Sequence, residues 1–485
     1  MKKYIFSCLV ILSSCYFKRD IQDIDAKEYS VPDLKADLKI FKGILTDIHA
    51  GTYAYNTPAQ IDRLFDSIEN TLTGHTTLRE FYNKVNYITD QIRCIHTQAY
   101  VPDEYYDSIS NRPLFFPAPV CEIDGKLYIN SDNQKMGLGA ELLSVNDMDA
   151  KDIIAKLQCY RHTDGYSETA KKDAINEDFA YDYFMCFGGS KNFRVTYIED
   201  STTIIEPRLF EGVKLKAIYN DDDYGAFYRY PTDVDYDLEM YDEDNAAILT
   251  VRTFNYKSQN ALHSYQHFIS NSFRLINKSG IKNLIIDVRN NGGGYYNATY
   301  GLLSYLVNKE LPEYDSCFQR FKQLTYTRYI SPEDTSYIND YDTAYLAYNK
   351  IKTGLYKLKD PEITRWQPEK DLFKGRIFVI TNPHVISAAA TFAAVLKHQP
   401  NAMIIGEETG GANDAHNAGI ISYTLPSSGI KLDIPMRRYY QPVLQSEKGR
   451  GVMPDKEIPF TVRDLVSNTD RPIAYIFDSI LAKKH

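Results

Sequence analysis

The chain has one tryptophan among 485 residues, seven cysteines, and after its first dozen residues no apolar run long enough to cross a bilayer. It also lacks a basic excess. The formal net charge is −9, which makes nucleic acid a poor fit as a partner. Five cysteines lie beyond the N-terminal segment: Cys94, Cys121, Cys159, Cys186 and Cys317. Their number is odd and no two are spaced like a zinc clip, so neither a disulfide framework nor a metal centre is expected. The glycine-rich stretch at 292–294 has no G-x-G-x-x-G pattern and no following Walker lysine, which argues against a phosphate cradle. Tyrosine is abundant, at 40 residues, and scattered tyrosines most often serve as half-buried strand residues.

The N-terminus is informative. Met1-Lys2-Lys3 is a basic start, and Tyr4 to Leu12 is a short apolar segment of secretory type. Leu12-Ser13-Ser14-Cys15 resembles a bacterial lipobox. The resemblance implies cleavage before Cys15, acylation of its thiol, and a lipid anchor in the cell envelope, periplasmic or on the outer membrane. Loss of Lys2 and Lys3 takes the formal charge from −9 to −11.

Hydrophobic spacing divides the remainder into three. The stripes Leu34–Ile48, Ile61–Leu72 and Leu78–Ile95 predict a helical bundle over 30–112, with His96 at the end of its third helix. From 116 to 215 the pattern is β-rich. Gly139-Ala140-Glu141-Leu142-Leu143-Ser144-Val145-Asn146-Asp147 resembles the core of a PDZ domain, which implies a sheet edge able to take an extended peptide. From 236 to 485 strands and helices alternate, which predicts a layered α/β domain. The stretch 309–370, dense in Tyr, Asp and Lys, carries no clear pattern.

Two segments of this last part carry chemistry. Arg376–Ile380 reads as a buried strand, and Ala389, Phe392, Ala393 and Leu396 as one face of a helix. Ser387 therefore sits at a strand-to-helix turn, where it either caps the helix or presents a reactive hydroxyl beside free N–H groups. Asp287-Val288-Arg289-Asn290-Asn291-Gly292-Gly293-Gly294 follows another buried strand, and its bare backbone suits an oxyanion hole. A serine nucleophile needs a base. Of the ten histidines, His485 is terminal and His263, His267 and His398 fall on predicted helices, whereas His96, His384 and His416 stay open as candidates.

Taken in order, Leu284–Gly294, Ser387–Phe392, Gly406–Gly411 and Gly449-Arg450-Gly451-Val452-Met453-Pro454-Asp455 resemble the tail-specific protease (carboxy-terminal processing peptidase) and tricorn-core superfamily. The segment ending in His96-Thr97 is similar to lipoprotein members from Bacteroidetes-type bacteria, with Cys94-Ile95 where Asp-Gly is usual. The resemblance implies a crotonase-like (ClpP-like) α/β catalytic core and a serine peptidase that acts on protein or peptide substrates without cofactor or metal. It implies Ser387 as nucleophile, His96 as base, and the Ala388 and Gly293 amides, with Gly292 a second choice, as the oxyanion hole. Glu447 is the match for an orienting group. The lysine base of the carboxy-terminal processing branch is absent, because Ala412 stands in its place. Two other readings fit the same residues: a member of this fold that binds peptide without turnover, and a glycan-capturing surface lipoprotein.

Overall fold

The computed structural model describes residues 27–131, 136–159, 161–199, 203–218, 234–336, 338, 345–443 and 447–482. Cys15 and the lipobox-like segment lie outside the described residues. The architecture is mixed α/β, and a six-stranded sheet in the C-terminal half organises it. Four strands, Ala246–Val251, Asn283–Asp287, Arg376–Thr381 and Ala402–Gly406, run parallel side by side. Lys456–Glu457 extends this parallel set at one edge, and Tyr236–Tyr241 closes the other edge antiparallel.

The central strands are apolar because both faces are covered. Leu284, Ile286, Ile377 and Val379 pack with Leu262, Phe273, Leu302 and Phe392 from the helices Gln259–Lys278, Tyr296–Leu303 and Ser387–Lys397. On the opposite face Ile285, Phe378, Ile380 and Ile405 meet Ile476 and Leu481. Alternate residues of one strand thus serve two cores, as the period of two requires.

The register has a consequence for chemistry. Asp287 pairs with Ile380, and Thr381 with Gly406. The loops that leave these three strands therefore emerge together at their carboxyl ends, where open α/β sheets place ligand sites.

A second sheet is built on the long hairpin of Ala415–Thr424 and Lys431–Tyr440. Gln98–Tyr100 pairs with Lys431–Asp433, so a strand from the N-terminal part is sewn into the C-terminal half. Ser316–Gln319 pairs with the far end of the same strand and carries Tyr356–Leu358 and Tyr348–Lys350 outward. The unpatterned 309–370 stretch thus holds strands of two to four residues, too short for alternation to register. The third sheet comprises Val120–Ile123, Lys126–Ile129, Glu141–Val145, Asn192–Glu199 and Thr203–Glu211, with Met148–Asp149 beside Glu141–Val145.

Three helices, Val31–Asp47, Pro58–Glu69 and Leu78–Gln91, precede these sheets, opened by the N-caps Ser30, Thr57 and Thr77. The third stops earlier than its apolar stripe suggests. Arg93 takes a positive φ of 60°, and the chain turns away, so His96 lies beyond the helix, just before the strand Gln98–Tyr100. Leu38, Phe81, Phe116, Val195, Tyr423 and Ile434 belong to one continuous core, which joins these helices to the third sheet and the hairpin. Buried Asp37 reinforces the junction by accepting from the Ser427 and Ser428 amides at 3.0 and 2.8 Å and from the Ser428 hydroxyl at 2.7 Å. None of the described helices is long and apolar enough to cross a membrane.

Candidate active site

Ser387 is the first residue of the helix Ser387–Lys397, and Ile386 occupies the N-cap position with no side-chain cap. Ser387 therefore does not cap the helix. Its φ of 52° is left-handed, a conformation that costs a non-glycine residue roughly 1–3 kcal/mol and survives only where the surroundings enforce it. The enforcement is visible. Ile386 N–H donates to the Asn291 carbonyl at 3.3 Å, and Gly411 N–H donates to the Val385 carbonyl at 3.1 Å. A Cβ on Gly411 would come within 2.9 Å of the Ser387 nitrogen. The Ser387 hydroxyl is half-buried, and neither it nor the Ala388 amide has a hydrogen-bond partner among the described residues. An uncapped helix start with a free amide beside a free hydroxyl suits a developing negative charge.

The glycine loop closes over this turn. Gly293 has a φ of 91°, and a Cβ there would lie 2.7 Å from Ser387 Cβ and 2.9 Å from the Ala388 nitrogen. Only glycine lets the backbone approach so closely. Two asparagines fasten the loops. Asn290 N–H donates to Asn382 Oδ1 at 3.1 Å while Asn382 Nδ2 donates to Asn290 Oδ1 at 2.7 Å. Asn291 Nδ2 donates to the Val251 carbonyl, and its Oδ1 accepts from Gly293 N–H at 2.9 Å. The Gly293 amide is thus engaged by Asn291, whereas the Gly292 amide has no partner among the described residues. At the root of the loop, burial raises the Asp287 pKa, but Arg289 and Arg252 outweigh it at 2.7 and 2.8 Å and hold the carboxyl well below its ordinary range.

The loop Gly406–Ala412 is laced to the loop that follows Gly449. Arg450 grips Glu408 with two bonds of 2.9 and 2.8 Å, and Thr409 Oγ1 accepts from Val452 N–H at 2.8 Å. Ala412 is fully buried and bridges Gly451. Glu447 is exposed, and its side chain makes no ion pair or hydrogen bond among the described residues.

The carboxylate beside His96 is a different one. A ring nitrogen of His96, a carboxylate oxygen of Asp164 and Cys94 Sγ all lie within 4.8 Å of one another. Asp164 is 2% exposed and takes Ile95 N–H on Oδ1 at 3.0 Å, leaving Oδ2 without a partner. His96 is half-buried, and its Nδ1 is likewise buried and unpartnered. Burial lowers the His96 pKa from 6.5, while the Asp164 charge pulls it upward. Burial raises Asp164 against the pull of His96 and of the Ile95 amide. The Ala412 amide also faces this carboxylate. Ala412 follows Gly411, the residue packed on the Ser387 nitrogen, so Asp164 connects the His96 turn to the loop behind Ser387. Backbone bonds from Gly165 N–H to the Arg93 carbonyl at 3.0 Å and from Tyr166 N–H to the Gly449 carbonyl at 2.6 Å clamp the Asp164 turn on both sides.

Two other histidines of this region, His416 and His49, are occupied. His416 Nδ1 accepts from Gln441 Nε2 at 3.2 Å, which leaves its Nε2–H to donate to the Tyr296 hydroxyl at 2.8 Å. Burial takes its pKa down to about 3, so His416 is a neutral structural residue with no free lone pair. His49 Nδ1 accepts from Gly51 N–H at 2.9 Å, and its Nε2 bonds Thr97 Oγ1 at 2.8 Å. It thereby anchors the turn that carries His96. His384 is half-buried in the turn before Ser387. Asp164, Asn291 and His49 carry no sequence signal of their own. Asp164 and His49 are distant from Ser387 in the chain, and Asn291 is masked by the glycines it precedes.

Residues 245–458 match the sequence profile described as Peptidase family S41. No curated protein matches the chain. Among solved structures the chain is similar to mature CPAF, with 15% identity over 94% of this chain and 98% of that one and a TM-score of 0.60. Mature CPAF complexed with lactacystin is similar too, with 16% identity, coverage of 93% and 98%, and a TM-score of 0.58. A putative peptidase from Parabacteroides merdae aligns at 14% identity over 94% and 98%, with a TM-score of 0.44. At such identities the CPAF likeness speaks to the fold alone.

Proposed function

We propose that the chain is a serine-type peptidase of the S41 kind, with Ser387 as its nucleophile, His96 as its base and Asp164 as the group that orients His96; the match of residues 245–458 to Peptidase family S41 supports the class. The observation that carries this reading is the uncapped, left-handed Ser387 turn pressed against Gly293, with a free Ala388 amide. His96 takes the hydroxyl proton as Oγ attacks a peptide carbonyl. The oxyanion forms against the Ala388 amide and an amide of the 292–293 pair, each such donor contributing roughly 3 kcal/mol to the transition state. Gly292 offers its amide directly, while Gly293 must first release Asn291. His96 then protonates the leaving amine, and water resolves the acyl-enzyme. Asp164 takes the role first read into Glu447, since its carboxylate lies beside the His96 ring while Glu447 faces solvent. The reading is consistent with Ala412, which leaves no lysine at the alternative base position.

The finer architecture is part of the proposal: a crotonase-like core over 236–485 and a PDZ-like insert over 116–215 that presents an extended peptide. So is the location, with Cys15 as lipid anchor in the cell envelope. A fluorophosphonate probe tests the chemistry. Wild type should label and degrade an unstructured protein such as casein, and Ser387→Ala should do neither. An unlabelled wild type with casein intact would instead favour a peptide-binding member without turnover.

A further inference from the structure

Three ligating side chains, the proposed base among them, meet in one cluster, and two of them have buried atoms without partners among the described residues. Cys94 Sγ, a His96 ring nitrogen and an Asp164 oxygen lie within 4.8 Å of one another. A thiol, an imidazole and a carboxylate together form a donor set that suits a borderline-soft divalent ion such as zinc. Ligand atoms around tetrahedral zinc are about 3.4–3.7 Å apart, so closure by about 1 Å completes the site. His96 Nδ1 and Asp164 Oδ2 are both buried with no hydrogen-bond partner among the described residues, a costly arrangement that a cation would relieve.

We propose that Cys94, His96 and Asp164 bind a zinc ion that switches the peptidase off by occupying its base. The site itself stands on the geometry; its regulatory effect rests on the reading of His96 as base. Supporting bonds of the kind that orient metal ligands are already present. Cys94 Sγ accepts from Asn417 Nδ2 at 3.2 Å, and Asp164 Oδ1 accepts from Ile95 N–H at 3.0 Å. The ligand turn is held by the bond from His49 to Thr97. Half-buried His96 leaves an approach from solvent, and three protein ligands leave a fourth position for water.

On binding, the S–H bond breaks, a sulfur–zinc bond forms and one proton goes to solvent, with no electron transferred. With Asp164 ionised, zinc, thiolate and carboxylate then sum to zero charge, one unit more positive than the empty site with its protonated thiol, and Arg438 is the cation that faces this change.

The test uses zinc-free full chain and a zinc-chelating dye as competitor. One zinc per chain is expected, with affinity falling about 100-fold or more in Cys94→Ala. Cobalt loading should give a sulfur-to-cobalt charge-transfer band that Cys94→Ala and Cys94→Ser lack or shift; the serine variant guards against a folding defect in the alanine one. Zinc should suppress fluorophosphonate labelling of wild type, a chelator should restore it, and the labelling rate of Cys94→Ala, whatever its value without metal, should not change when zinc is added. Absence of binding, or binding and inhibition that Cys94→Ala leaves unchanged, overturns the proposal. A cobalt band in a chain that never labels would uphold the metal site and refute the peptidase reading; normal labelling without a band would do the reverse.

Discussion

The two halves of the proposed active site are made in different ways. The Ser387 half belongs to one sheet: three loops leave adjacent parallel strands at matched register, and backbone and asparagine bonds hold the serine turn. The His96 half is assembled from separate segments, with Cys94–Thr97 before a strand of the second sheet, Asp164 in the connection between the third-sheet strands Met148–Asp149 and Asn192–Glu199, and Ala412 facing Asp164. The first half is fixed by the local chain. The second depends on how distant segments dock, and its key atoms, His96 Nδ1 and Asp164 Oδ2, are not yet paired. Catalytic hydrogen bonds are often long before substrate binds, so the contrast suits a preformed oxyanion side and a base side that tightens on use.

The comparison can be broken most forcefully at the base. His96→Ala should lower kcat/KM by about 10²–10⁴-fold, with the circular dichroism spectrum unchanged. Full activity would return the base role to His384, since both His416 nitrogens are taken. Gly293→Ala probes the other half. Its new Cβ would push against Ser387 Cβ and the Ala388 nitrogen, so a loss of about 100-fold or more in kcat is expected, because a displacement near 1 Å costs that much. Steady-state kinetics on a chromogenic peptide would read it, and an unaffected kcat would separate the glycine loop from the reaction.

Asp164→Asn tests the link between the halves. A loss of about 10–100-fold is expected, smaller than that for His96→Ala. The pH profile adds a directional check. Burial already lowers the His96 pKa below 6.5 and the Asp164 charge opposes it, so wild type should lose activity only as pH falls below 6.5. Removing the charge lets burial act alone, and the acid limb should move to lower pH; an unmoved limb would mean that Asp164 does not face the base. The smallest effect concerns stability. Ser387→Gly removes a side chain from a left-handed residue and should stabilise the fold by about 1 kcal/mol while abolishing activity. Thermal unfolding would show a higher Tm, and a lower one would mean that the turn is not strained.

Much of the first half was legible in the chain. Apolar runs such as Leu284–Ile286 and Ile377–Ile380 can be little other than buried parallel strands, and glycines or a serine directly after them mark the turns. The base half was only partly legible. The motif points to His96 as a candidate base, but its expected place at a helix end is not where it lies, because the apolar stripe continues to Ile95 after Arg93 has turned the backbone. Asp164 was invisible, since nothing in His162-Thr163-Asp164-Gly165 announces that the turn is clamped between Arg93 and Gly449. Cysteine spacing hid the Cys94 cluster for the same reason: its partners are His96, two residues on, and Asp164, seventy residues away.

The central claim is that a histidine outside the main sheet activates Ser387. The rate of fluorophosphonate labelling, followed against pH in wild type and His96→Ala, tests it most directly. Wild type should label Ser387 quickly above pH 6.5 and slow as acid protonates His96, while His96→Ala labels slowly with that limb gone. Equal rates and the same pH dependence in both proteins would contradict the account.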